Sequence, residues 1–179
     1  FHPNPLLVLL KILFFKLRVN MKKLYIVRHT QKEEALQHDD YDRDLSPEGL
    51  DKARKIAENF AKKNLPIDLI VASPAKRTKI TAEIFANALN YNKSIMFNEV
   101  LYMAFVNELF ETISYTFDTV DSMLLVGHNP SLTAFAITLV GFKEKFEMGA
   151  IMEINFNCDS WINISKDNAQ LVSYELTNE

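Results

Sequence analysis

Three short, wholly apolar runs do most to limit what this chain can fold into. Leu24–Val27, Leu69–Ala72 and Met123–Val126 are each four residues long and rich in strand formers, which is strand length and too short for buried helices. Helix signals fall between them. Ser46-Pro47-Glu48 combines a preferred N-cap, proline at the first helical position and an early acid, and Leu50, Ala53, Ile56, Ala57 and Phe60 then recur at helical spacing, predicting a helix to about Lys63. Ser73-Pro74 repeats that start ahead of Ile80, Ile84, Phe85 and Leu89. Phe105, Leu109, Ile113 and Phe117, four apart, predict a third helix, and Asn129-Pro130 opens a fourth carrying Leu132, Phe135, Ala136 and Leu139. Beyond Ala150 the pattern changes to Ile151, Phe156, Trp161, Ile164, Leu171, Val172 and Tyr174 with Asn, Asp and Ser between them, which suits strands at a sheet's edge. Alternating strands and helices predict an α/β single-domain fold: a three-layer α/β/α sandwich around a mostly parallel central sheet.

In such a sheet ligands bind beyond the carboxyl ends of the strands. The first run delivers Arg28 and His29, the second leads through Ser73-Pro74 to Arg77, and the third delivers Gly127 and His128. From residue 21 onward 17 Lys and Arg face 23 Asp and Glu, so four potentially cationic groups meeting on one rim of an acidic body predict an anion pocket of phosphate size. Arginine supplies a planar fork for phosphate oxygens, and imidazole is a nucleophile or proton carrier near neutral pH. The acidic body argues against a nucleic-acid-binding surface. Only four glycines are present, at 49, 127, 141 and 149, and they form neither G-x-G-x-x-G nor G-x-x-x-x-G-K. The single cysteine, Cys158, excludes an internal disulfide and a multi-thiolate zinc site and fits a reducing, cytoplasmic setting.

Each element of this constellation also has an ordinary reading. Arg-His after a strand is commonly without function, and an arginine on a helix is commonly solvated. Two histidines are also two of the three ligands a metal needs, but no carboxylate stands at ligand spacing, so no metal is expected. Asp39, Asp40, Asp42 and Asp44 lack the glycine and the terminal bidentate glutamate of a calcium loop and read as a solvated loop, with His38 an exposed residue beside them.

Residues 1–20 differ from the rest. They carry Lys11, Lys16 and Arg18 and no acid, and their apolar stretch from Leu6 to Leu17 is interrupted by two lysines, too short for a membrane span and wrongly ordered for a signal peptide. The expectation is a leader outside the domain, which occupies 21–179; a surface anchor and a docking helix are the alternatives. His2 lies in this leader. No stable membrane insertion is expected.

Taken together, the three strand-end segments match a known pattern. Leu24-Tyr25-Ile26-Val27-Arg28-His29-Thr30, Ser73-Pro74-Ala75-Lys76-Arg77-Thr78 with Thr81-Ala82, and Gly127-His128-Asn129-Pro130 resemble, in order and spacing, the signatures of the histidine phosphatase (phosphoglycerate mutase-like) superfamily. The small size, Arg43-Asp44-Leu45-Ser46-Pro47-Glu48-Gly49 and Glu99-Val100-Leu101-Tyr102 look most like its SixA-type phosphohistidine phosphatases. The resemblance implies a metal-independent phosphatase without cofactor. In it His29 is the nucleophile and forms a phosphohistidine, while Arg28, Arg77 and His128 hold the phosphoryl oxygens. Glu99 is a candidate general acid, and Arg43 is a candidate substrate contact. Thr30 stands where the family usually has glycine and would narrow the pocket mouth or add a hydroxyl to it. The implied partner is a phosphohistidine protein or a small phosphoester. A small-molecule phosphomonoesterase or phosphoglycerate mutase-like enzyme is the alternative within the class, and an inactive phosphate-binding or interaction module is the alternative outside it. Only fifty residues, 78–127, separate Arg77 from His128, which leaves little room for a lid insertion and favours phosphatase over mutase.

Overall fold

The computed structural model describes residues 21–34 and 39–176. The expected leader, with His2, and the expected loop residue His38 lie outside the described residues. Six strands form one sheet in the order β3-β2-β4-β1-β5-β6. They are β1 (Lys22–Arg28), β2 (Leu69–Ala72), β3 (Met96–Phe97), β4 (Ser122–Gly127), β5 (Ile151–Phe156) and β6 (Ala169–Glu175). β1, β2, β3 and β4 run parallel to their neighbours among themselves, and β5 and β6 add two antiparallel pairings. Among the described residues four helices cover the sheet: α1 (Pro47–Ala61), α2 (Lys76–Ala88), α3 (Val106–Ser114) and α4 (Ser131–Val140).

The period of two along each strand builds the three layers. Leu24, Ile26, Leu125 and Met152 face one side, where Leu109 and Ile113 of α3 and Leu132, Phe135 and Leu139 of α4 pack on them. Tyr25, Val27, Leu124 and Val126 face the other, against Ile56, Ala57 and Phe60 of α1 and Ala82 and Phe85 of α2. Strands buried on both faces must be apolar at every position, which is why the runs carry no polar residue.

Some expected boundaries shift. Ser46 caps α1 as predicted, its hydroxyl accepting from Gly49 N–H at 3.0 Å. Ser73-Pro74 does not cap α2, which starts at Lys76 after Ala75; the Ser73 hydroxyl is committed elsewhere, as described below. α3 is shorter than the periodicity predicts. Leu109 and Ile113 are buried, but Phe105 precedes the helix at 74% exposure and Phe117 follows it at 81%. β5 lies inside the sheet between β1 and β6 rather than at its edge. Trp161 and Ile164 belong to a 3-10 turn and its end, not to a strand, and bury in the core, with the indole N–H donating to the Val120 carbonyl. Sequence periodicity misses β3, two half-exposed residues paired with the end of β2.

One close approach fixes the floor of the site. A Cβ on Gly49 would meet the Gln31 carbonyl oxygen at 2.1 Å, so only glycine lets the first turn of α1 touch the chain just after His29.

Candidate active site

Sheet register brings the two histidines together. β1 and β4 pair in parallel with Arg28 opposite Gly127, so the next residue of each strand is a histidine, and the His29 and His128 rings stand 5.2 Å apart at 61°. β2 flanks β4 with Ala72 opposite Val126. Ser73 therefore arrives beside His128, and its hydroxyl lies 2.8 Å from His128 Nε2. The first turn of α2 then places Arg77 over His29. All three are buried: His29 and His128 are 6% exposed and Arg77 is 5% exposed.

Local hydrogen bonding fixes which imidazole nitrogen keeps its lone pair. His29 Nδ1 lies 2.7 Å from the Thr30 carbonyl oxygen, which can only accept, so Nδ1 carries the proton and Nε2 the lone pair. Arg77 Nε donates to that lone pair across 3.3 Å. Burial pushes the pKa of His29 down to about 4; the charges of Arg77, Arg28 and Lys32 add to this, and the Thr30 bond opposes it. Burial likewise takes His128 down to about 3, helped by His29, Arg77 and Arg28 and opposed by Asp40. Both rings are thus neutral near neutral pH, the form in which imidazole is nucleophilic.

Two further polar atoms at the rim lack partners among the described residues. Arg28 donates one terminal nitrogen to the Phe146 carbonyl at 2.8 Å, but its buried Nε has no partner among the described residues. His128 Nδ1 is buried and unpartnered in the same way. Ser73 Oγ accepts from Ala75 N–H, and among the described residues His128 Nε2 is the acceptor within reach of its proton; with that bond made, the His128 proton sits on Nδ1. A buried donor without an acceptor costs roughly 1–3 kcal/mol. Two of them on one rim suit a ligand rich in acceptor oxygens.

The acidic loop is solvated at Asp39 and Asp42, as expected, but Asp40 and Asp44 are engaged. Arg77 donates to both the backbone carbonyl and the carboxylate of Asp40, the latter at 2.8 Å. Lys32 donates to the other carboxylate oxygen, and the Tyr102 hydroxyl stands 3.4 Å from the first. The bond from Lys32, with the charge of Arg77 behind it, holds the Asp40 carboxyl down to about 2. Asp44 pairs with Lys76 at 2.7 Å.

The structure thus brings together Arg28, His29, Arg77 and His128; of the other expected residues Thr30 meets His29 through its backbone carbonyl, and among the described residues no hydrogen bond joins Glu99 or Arg43 to the four. Thr30 is buried, and its hydroxyl donates to the Gly49 carbonyl at 2.7 Å, so it has no proton left for a phosphate oxygen. Its side chain packs against Gly149, where it braces the loop before β5. Glu99 sits in a 3-10 turn and takes the Tyr41 hydroxyl at 3.1 Å; the rings of Tyr41 and Tyr102, 4.9 Å apart, lie between it and His128. Arg43 lines a surface cavity of about 720 Å³ next to Lys32 and Gln31. Sequence reasoning missed Lys32, Asp40, Ser73 and Tyr102. The serine carried a signal, in that a cap residue directly after a strand end is also a residue on the site's rim. Among the described residues no group of three or more His, Cys, Asp or Glu is arranged to hold a metal ion, and no helix is long and apolar enough to cross a membrane.

Known proteins share the family and the fold. A family model described as the histidine phosphatase superfamily (branch 1) matches residues 24–120. An uncharacterized protein of Mycobacterium tuberculosis (strain ATCC 25618 / H37Rv) is 28% identical over 149 residues, covering 76% of this chain and 90% of its own. Among solved structures, the protein histidine phosphatase SixA complexed with tungstate superposes with a TM-score of 0.73 at 22% identity, over 85% of this chain and 95% of that one. A mycobacterial glucosyl-3-phosphoglycerate phosphatase superposes with a TM-score of 0.60 at 14% identity, over 85% of this chain and 97% of that one.

Proposed function

The chain belongs to the histidine phosphatase superfamily, branch 1, and from that premise we propose that it hydrolyses phosphohistidine on proteins through a phosphohistidine of its own at His29. The observation that carries this is the fixed tautomer of His29: Nδ1–H is tied to the Thr30 carbonyl, and the Nε2 lone pair is held neutral and buried beside Arg77. Nε2 attacks phosphorus in line, the leaving group departs, and water then cleaves the new P–N bond, so that one hard displacement becomes two easier ones. Arg28, Arg77 and His128 Nδ1 spread the charge of the loose transition state as fixed electrostatic partners. No metal is called for in this scheme, and activity is expected to survive a chelator.

Two features support phosphohistidine as the substrate. Neither Asp40 nor Glu99 is poised to give a proton: Asp40 is an anion in salt links, and Glu99, set back behind two tyrosine rings, takes the Tyr41 hydroxyl. An imidazole leaves more readily than an alkoxide and asks less of a general acid. Also, α2, β3, α3, β4 and the three connections between them use up residues 78–127, which leaves that span no length for an inserted lid that would shut out a side chain on a folded protein. The test is a substrate panel of phosphohistidine protein, phosphoserine peptide, sugar phosphates and phosphoglycerates. The proposal expects the highest kcat/KM for the phosphohistidine protein. A tenfold preference for a sugar phosphate or phosphoglycerate, about 1.4 kcal/mol of discrimination, would assign the site to small phosphoesters instead.

A further inference from the structure

One of the donors that would grip a phosphoryl group, Arg77, already grips an anion, and that anion belongs to the chain. Arg77 has its Nε on the His29 lone pair and its two terminal nitrogens on the backbone carbonyl and carboxylate of Asp40. The second carboxylate oxygen takes Lys32, and the Tyr102 hydroxyl reaches the first. One carboxylate oxygen, Oδ2, meets one terminal nitrogen of the guanidinium as a single phosphoryl oxygen would, and it lies on the arginine that also touches the nucleophilic nitrogen. We infer that Asp40 is a tethered competitor, whose carboxylate stands in for a phosphoryl oxygen on Arg77 and is displaced when substrate binds.

The surroundings fit exchange rather than permanent bracing. The Asp40 side chain is 42% exposed and that of Lys32 is 35% exposed, so water receives the carboxylate as it leaves, whereas Arg77 stays buried. Ion pairs open to solvent on one side are weak and readily exchanged. Displacement also makes the site selective. A monoanion that replaces a carboxylate gains little, while a dianionic phosphoryl group brings an extra charge to Arg77, Arg28 and Lys32. A carboxylate that stayed in place would instead repel the dianion. Asp40 is therefore a specificity-determining residue for dianionic groups, and this rests on the phosphatase reading of the same site.

The test measures anion binding rather than turnover. Inorganic phosphate is titrated calorimetrically into wild type, Asp40→Asn and Asp40→Ala, and vanadate inhibition is read alongside. The asparagine variant decides if it keeps the wild-type melting temperature; otherwise the alanine variant takes its place. Phosphate and vanadate are expected to bind at least fivefold more tightly once the carboxylate is gone. Equal or weaker binding with a wild type that does bind phosphate would overturn the inference and make Asp40 a positioning residue for Arg77. Absence of phosphate and vanadate binding in wild type and variants alike would refute the phosphatase reading itself, and the inference with it.

Discussion

His29→Ala is expected to lower kcat for a small aryl phosphate by at least about 10³-fold, about 4 kcal/mol of barrier, with circular dichroism close to wild type. The loss follows from the bonding of this one ring. Nδ1 is spent on the Thr30 carbonyl, so Nε2 is the only nitrogen of His29 able to attack. Water in the alanine cavity has neither the nucleophilicity nor the fixed position of that lone pair. His128 is not placed to take over, because its Nε2 is turned to Ser73 on the β2 side of β4, away from His29, and its Nδ1 carries the proton. An alanine variant that kept most of the wild-type rate would remove His29 from the mechanism.

Arg77→Lys should cost about 10²-fold in kcat/KM, near 3 kcal/mol, although the charge is preserved. Lysine keeps a cation opposite Asp40 but loses the planar fork, and with it the separate N–H that sits on His29 Nε2. Vanadate, which adopts the trigonal-bipyramidal shape of the transferring group, should inhibit the lysine variant less than wild type by a similar factor. Steady-state kinetics with an aryl phosphate and a vanadate titration read both effects. Wild-type kinetics in Arg77→Lys would reduce its role to that of a point charge.

The three apolar tetrapeptides made the parallel part of the sheet legible, because strands buried on both faces leave no polar residue to blur the pattern. The site was legible for the same reason, since each strand end names the residue that reaches the rim. What stayed hidden depends on partners distant in sequence. Ser73 reads as a helix cap until β4 sets His128 beside it, and the capping hydroxyl is then used on an imidazole 55 residues away. Asp40 reads as one of four solvated acids, and only the fold lays it on Arg77, 37 residues further on. β3 is too short for any period to register, and Phe105 and Phe117 keep helical spacing while lying outside the helix that Leu109 and Ile113 anchor. Trp161 shows the converse, an aromatic residue in a polar stretch that enters the core from a turn rather than from a strand.

The central claim is that the phosphoryl group passes through His29 Nε2. Rapid quenching of the enzyme during turnover of a phosphohistidine protein or an aryl phosphate, followed by peptide mapping under alkaline conditions that preserve phosphohistidine, tests it most directly. Phosphate on the peptide carrying His29, present in wild type and missing in His29→Ala, is the predicted result. Phosphate trapped on any other residue would contradict it.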